Sequence, residues 1–151
     1  MFYDYTLTIP PNTLITKPVT KIVTVSPGLV DRVMIIFPTG VAALAHIRIL
    51  RGTHQVWPSN LDGDFASDGE FLDFSENYPL QDAPYEFILS GWNDDDSYTH
   101  KLIVRFNITP LERKSVPGLA ERLRQALASG VGLILCQIEF IQVLYQIPLQ
   151  F

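Results

Sequence analysis

The feature that most constrains the fold is a strict alternation of side-chain types between residues 98 and 108. Large apolar side chains and one histidine occupy every second position from Tyr98 to Ile108, and polar side chains occupy most positions between them. A period of two predicts a strand with one buried face and one face in water. Tyr85, Phe87 and Leu89 alternate with their neighbours in the same way. The chain therefore contains at least two strands of this kind.

Residues 91–96, Gly-Trp-Asn-Asp-Asp-Asp, separate these two alternating runs. Glycine, asparagine and aspartate favour turns, and three consecutive aspartates are too polar for a sheet interior. We interpret residues 85–109 as a β-hairpin with an acidic loop at its tip.

Most of the other segments before residue 110 are also short and strand-like, and proline or glycine separates them. The predicted strands cover residues 3–9, 20–26, 30–37, 41–50, 54–57 and a short run at 71–74, which Asn77-Tyr78-Pro79 would end. In the strand at 41–50, Ala43 and Ala45 would share a face with two isoleucines. Seven or eight such strands without a helix-sized pattern predict a mainly β fold, an antiparallel β-sandwich that is jelly-roll-like.

The pattern changes after Pro110, so we predict two regions, a β-sandwich domain at 1–110 and a C-terminal region at 111–151. Residues 116–129 have an apolar stripe of leucines, a capping serine before them and Gly130 after them, which predicts one helix. The apolar segment at 131–151 fits two templates. Its glutamines and Glu139 recur at helical spacing, whereas Pro148 and the isoleucine and valine content favour a strand.

This apolar segment is also the expected oligomer interface, because it would aggregate if it were left exposed. Charged residues make up only 18% of the chain, against about 25% in an average soluble protein, which also favours a covered surface. The interface residues would be Leu133, Leu135, Ile138, Phe140, Ile141, Val143, Tyr145 and Ile147. Its glutamines and glutamate argue against a transmembrane helix, since each would be costly in hydrocarbon.

Charge and cysteine content exclude several classes of function. The net charge is -5 and the 11 lysines and arginines form no basic stripe, so we expect no nucleic-acid partner. Cys136 is the only cysteine, so an intrachain disulfide is impossible, and its apolar surroundings indicate a core residue. The N-terminus lacks the pattern of a secretory signal.

Two acidic loops are candidate binding sites. The first contains oxygen-bearing side chains at alternating positions around a glycine, an arrangement that suits calcium. Its candidate ligands are Asn60, Asp62, Asp64, Asp68 and Glu70. The second loop contains Asp94, Asp95 and Asp96, and in a sandwich the two loops could lie at the same end. The alternative is that both are ordinary solvated turns.

Aromatic side chains border these loops and could stack on a sugar. Trp57 and Trp92, with Asp94, Asp95 and Asp96, form a candidate carbohydrate-binding set. The alternative, which burial habits favour, is that the tryptophans close the ends of the core.

Catalytic signatures are absent from the sequence, so we expect a protein that is not an enzyme. It contains neither a GxSxG nor a phosphate-binding glycine loop. His46, His54 and His100 show no metal-ligand spacing, although a cupin-style site with three histidines from different strands is an alternative.

The stretches HQVWPSNLDGDFASDGEFLDF and YEFILSGWNDDDSYTHKLIVRFNITP resemble small β-sandwich accessory proteins encoded among the structural genes of tailed bacteriophages. The resemblance covers residues 1–110. It implies a non-enzymatic component of the virion capsid or tail that oligomerises as a trimer or higher, contacts other virion structural proteins, and resides in the host cytoplasm before assembly. The alternative function is a carbohydrate-binding module, with calcium as its one candidate cofactor.

Overall fold

The computed structural model describes residues 1–110 and, beyond them, Arg124 alone. Met1–Leu111 form one unit of the chain. The predicted helix at 116–129, the apolar segment at 131–151 with its interface residues, and Cys136 all lie outside the described residues. In the part of the chain that is described, no helix has the length and apolar character needed to cross a membrane.

Residues 1–110 form nine strands, whereas the sequence pattern predicts seven or eight, and the two-residue strand at 65–66 has no counterpart in the prediction. They are β1 Phe2–Ile9, β2 Val19–Thr24, β3 Gly28–Ile36, β4 Ala45–Arg51, β5 His54–Trp57, β6 Phe65–Ala66, β7 Phe71–Leu80, β8 Glu86–Asn93 and β9 His100–Thr109. All strand pairs are antiparallel. The first sheet has four strands in the order β1-β9-β3-β7. The second has the order β2-β8-β4-β5, with β6 also paired to β4. The predicted mainly β class is confirmed.

The predicted hairpin of β8 and β9 is wrong. β9 lies between β1 and β3 in the first sheet, whereas β8 lies between β2 and β4 in the second. Both neighbouring positions of each strand are therefore taken by other strands. The acidic residues between β8 and β9 form a crossover loop from one sheet to the other. The prediction failed because a period of two identifies a strand but does not identify the strand it pairs with.

Several strand boundaries also differ from the prediction, and three of them have a clear physical reason. β4 begins at Ala45 because Ala42 and Ala43 adopt positive φ angles of 51° and 57°, so Ala43 lies in a turn and is exposed. β7 continues through Pro79, which an edge strand tolerates because the missing N–H would face away from β3. β8 continues through Asn93, whose polar side chain is satisfied inside the fold.

The hydrophobic core lies between the two sheets and uses the predicted inward faces. His100, Leu102, Val104, Phe106 and Ile108 of β9 are buried, as their parity predicts, whereas Tyr98 precedes the strand and is exposed. Phe106 stacks on Phe87 of the opposite sheet with ring centroids 5.1 Å apart. Burying one such side chain contributes about 1.5–3 kcal/mol, so these residues account for much of the stability.

Gly91 on β8 allows β1 to approach the second sheet closely. A Cβ atom at this position would lie 2.6 Å from Cδ1 of Ile9 and 2.9 Å from the carbonyl oxygen of His46. Only glycine fits this position without displacing the backbone.

Candidate functional site

Three of the four buried polar residues in the described part of the chain, Asn93, Asp95 and His100, lie at the end of the sheets where the crossover loop, residues 94–99, connects β8 to β9. Asn93 is buried and anchors this loop. Its Nδ2 donates to the carbonyl oxygens of Ile9 at 3.3 Å, Pro10 at 3.2 Å and Tyr98 at 2.9 Å. Its Oδ1 accepts a hydrogen bond from the backbone N–H of Asp95 at 3.0 Å. One amide side chain thus links the end of β1 to both ends of the crossover loop.

Asp95 folds back into the same loop instead of facing solvent. Its Oδ1 accepts from the backbone N–H groups of Ser97 at 2.8 Å and Tyr98 at 3.0 Å, and its Oδ2 lies 2.9 Å from Nε2 of His100. The two backbone amides, with a smaller contribution from His100, hold the pKa of the Asp95 carboxyl below its ordinary value of 3.8. An ionised carboxylate only accepts hydrogen bonds, so Nε2 of His100 bears the proton of this contact.

His46 on β4 joins the two acidic loops. Its Nδ1 lies 2.9 Å from Oδ1 of Asp64, and its Nε2 lies 3.3 Å from Oδ2 of Asp94. The two loops therefore lie side by side at one end of the second sheet, an arrangement the sequence analysis considered. The contact of Nδ1 with Asp64 is a hydrogen bond, whereas the contact of Nε2 with Asp94 is a longer polar contact.

Trp92 lies under His46 on the outer face of the second sheet, not in the core between the sheets. The imidazole stacks on the indole with ring centroids 4.9 Å apart and planes 2° from parallel. The guanidinium of Arg48 lies 4.8 Å from the indole centroid, a cation–π distance. Arg48 also donates from Nη2 to the carbonyl oxygen of Asp62 at 2.7 Å, so it holds the long loop against the sheet.

The five predicted calcium ligands do not converge. Three of their side chains have separate partners: Asp64 contacts His46, Glu70 accepts from Ser67, and Asp68 accepts from the backbone N–H of Gly40 at 2.7 Å. The backbone amides of Ala42 and Gly40 lower the pKa of Asp68, which therefore caps the turn before β4. Asn60 and Asp62 accept hydrogen bonds through their backbone carbonyl oxygens, from Gln55 and Arg48 respectively. Within the described residues, no group of three or more histidine, cysteine or acidic side chains could hold a metal ion.

The candidate sugar-binding set is split between the interior and the surface. Trp57 and Trp92 are only 2% and 4% exposed, so neither indole offers a face for stacking on a sugar. Trp57 packs in the core and donates from Nε1 to Oε2 of Glu76 at 2.6 Å. Asp94 and Asp96 are exposed on either side of the buried Asp95.

The three histidines are also in different places. His46 lies on the outer face of the second sheet, His54 is exposed at the turn after β4, and His100 is buried beside Asp95. The described residues thus do not assemble the cupin-style alternative from these histidines. The proposed interface residues, from Leu133 to Ile147, lie outside the described part of the chain.

Sequence reasoning did not identify Asn93, His46 and Arg48 as the residues that organise this end of the molecule. A signal for two of them was present, because His46 and Arg48 occupy the outward parity of β4, between Ala45, Ile47 and Ile49. Asn93 had no such signal, since an asparagine before three aspartates looks like any turn residue.

Comparison of the chain with protein-family models, with curated proteins and with solved structures finds no match.

Proposed function

We propose that the protein is a non-enzymatic structural protein that self-associates or docks on a larger assembly, in the manner of the accessory proteins of tailed bacteriophage virions that its sequence resembles. The observation that supports this proposal is a row of apolar side chains across the outer face of each sheet. An antiparallel sheet that faces water normally presents polar residues there.

On the first sheet, the row runs across β7, β3 and β9. Phe71 is opposite Ile36 and Ile36 is opposite Ile103 in the strand register. Phe71 is 49% exposed and the two isoleucines are half-buried. The next rows contain the ion pairs of Arg32 with Asp73 and Arg105 with Asp4. These paired charges cancel, so a second copy could approach this face without the repulsion expected from the net charge of -5.

On the second sheet, the row runs across β2, β8 and β4. Ile22 is opposite Ile88, and Ile88 is opposite Leu50. Ile22 is 62% exposed although it lies on an edge strand, where exposed apolar residues promote pairing with other chains. Both outer faces thus have an apolar strip that association would cover.

The strand order provides further support. We infer that β1-β9-β3-β7 facing β2-β8-β4-β5 is jelly-roll connectivity, with β6 as an insertion. Jelly rolls occur in viral capsid proteins, and also in lectins and cupins, so this inference supports the virion role only together with the apolar rows. The carbohydrate-binding alternative is not favoured, because both tryptophans are buried.

The test is the mass of the full-length protein in solution, measured by light scattering at micromolar concentration. We expect a defined oligomer that Phe71→Lys or Ile22→Lys dissociates, because each substitution places a charge inside an apolar row. Ser75→Lys and Thr20→Lys are matched controls, because each lies on the same strand and the same face as its counterpart, outside the row.

A monomeric wild-type protein would overturn self-association and leave docking on another protein as the only form of the proposal. An oligomer that neither Phe71→Lys nor Ile22→Lys weakens would exclude the apolar rows as the interface. The residues from Leu133 to Ile147 would then be tested by Leu135→Lys and Ile138→Lys.

A further inference from the structure

A cavity of about 390 Å³, open to solvent over much of its surface, lies between the β4–β5 turn and the connection from β7 to β8, away from the acidic loops. Its walls are Arg51, Gly52, His54, Tyr78 and the Ala83-Pro84 pair. The volume lies near the lower end of the roughly 300–1,000 Å³ range of small-molecule sites. The cavity would therefore hold a ligand about the size of a monosaccharide or a dipeptide.

The polar side chains of this cavity are hydrogen-bond donors, and none of its described lining residues is acidic. Arg51 and His54 are paired in the register of β4 and β5, which brings a guanidinium and an imidazole to the same wall. The ion pairs among the described residues use Arg32, Arg105, His46 and His100, and do not include Arg51 or His54. In a chain of net charge -5, this is a local surplus of donors that have no acidic partner among the described residues.

The donors are held in place by the fold. Arg51 donates from Nη2 to the backbone carbonyl of Asp82, which fixes one side of the guanidinium, and its other N–H groups have no hydrogen-bond partner within residues 1–110. The Tyr78 ring packs edge-on against Trp57 with centroids 5.3 Å apart, so the core positions the phenol. Pro84 provides an apolar wall.

We propose that this cavity binds a small molecule bearing a carboxylate. A guanidinium matches a carboxylate in two parallel hydrogen bonds, and the imidazole and phenol supply further donors. The Tyr78 and Pro84 surfaces suit the C–H face of the ligand body. Both an acidic sugar and the carboxyl end of a short peptide have this chemistry. The site is independent of the proposed self-association.

The test is titration of the full-length, ¹⁵N-labelled protein with D-glucuronate, with N-acetyl-L-alanine and with neutral D-glucose, followed by amide chemical shifts. We expect saturable shifts at Gly52, His54 and Ala83 with a carboxylate, and no shift with glucose. At the efficiency typical of small ligands, the Kd would be about 1 mM. The carboxylate that binds with the lower Kd shows whether the natural ligand is an acidic sugar or the carboxyl end of a peptide.

Arg51→Gln should weaken binding at least about tenfold, since it removes the charged hydrogen bonds to the ligand. Arg32→Gln is the matched control, because it also removes one positive charge but from an ion pair on the outer face of the first sheet, and its binding should be unchanged. If Arg51→Gln fails to fold, His54→Gln tests the same wall and should also weaken binding.

Three results would overturn the proposal. They are the absence of saturable shifts up to about 50 mM, which is about fifty times the expected Kd, equal shifts with glucose, and equal affinities of wild type and the folded Arg51 or His54 variants.

Discussion

The two acidic loops of this protein have similar compositions and different architectures. In the crossover loop at 94–99, the central aspartate turns inward and bonds to the loop's own backbone. In the longer loop at 58–70, the carboxylates of Asp64 and Asp68 reach outward to other elements, namely β4 and the turn that precedes it. The difference arises because the crossover loop joins two sheets over few residues and must satisfy its own amides. Composition alone therefore does not distinguish a loop that stabilises itself from one that ties other elements together.

The largest effect should come from the buried anchor of the crossover loop. Asn93→Ala removes the donor to three carbonyl groups and the acceptor of one amide. Leaving such groups unsatisfied in the interior should cost about 3 kcal/mol of unfolding free energy, measured by urea denaturation. Asn77→Ala, at an exposed position of β7, is the control and should change stability little. Equal effects of the two substitutions would contradict the anchoring role.

The next largest effect on stability should distinguish Asp95 from Asp96, two neighbouring aspartates that look alike in the sequence. Asp95→Asn keeps the shape of the side chain but removes the charge that two backbone amides and His100 stabilise. We expect its melting temperature to fall by several degrees in calorimetry. Asp96→Asn should leave the melting temperature nearly unchanged, because Asp96 is exposed and, among the described residues, its side chain bonds to Ser97 alone. If the two variants melt together, Asp95 does not stabilise the loop.

The lowered carboxyl pKa values predict how stability depends on acid. Asp31, Asp68, Asp73 and Asp95 all have a pKa below the ordinary 3.8, so the unfolded chain binds more protons than the folded one in this range. Their contributions are complete above the ordinary value and are lost as pH falls through the lowered values. Urea unfolding should therefore show a steep loss of stability below about pH 4.

The same experiment on Asp95→Asn isolates the contribution of Asp95 to the acid response, because the asparagine cannot titrate. The loss of stability in acid should be shallower in this variant than in the wild type. Identical pH dependence in the two proteins would mean that Asp95 has no role in the acid response.

Sequence alone predicted the local structure of β9 and β1 well, because each has one face in the core and one toward solvent. It failed where the decisive contact is made across the fold. The partner of β8 depends on which strands flank it, and Asn93 matters because β1 happens to end beside it. An alternating pattern records which face of a strand is buried but not the neighbour in the sheet.

The acidic residues show the same limit. The sequence correctly allowed the two loops to lie at one end, and it weighed calcium against solvated turns. Neither alternative describes Asp68 or Asp95, whose carboxylates are satisfied by backbone amides. Aspartate oxygens suit a calcium ion and a backbone N–H equally well, so residue type and spacing could not distinguish these roles.

The smallest effect should come from the link between the loops. His46→Gln removes a side chain that contacts both Asp64 and Asp94 while keeping a polar group on the outer face of β4. The partners are partly exposed, so the loss of unfolding free energy should be about 1 kcal/mol or less. The informative measurement is amide hydrogen exchange. Exchange should accelerate around Asp64 in the long loop, while the amides of Ser97 and Tyr98, which Asp95 holds independently, should stay protected. If both loops lose protection together, the crossover loop depends on His46, and the contrast between a self-stabilised loop and a tethered one is wrong.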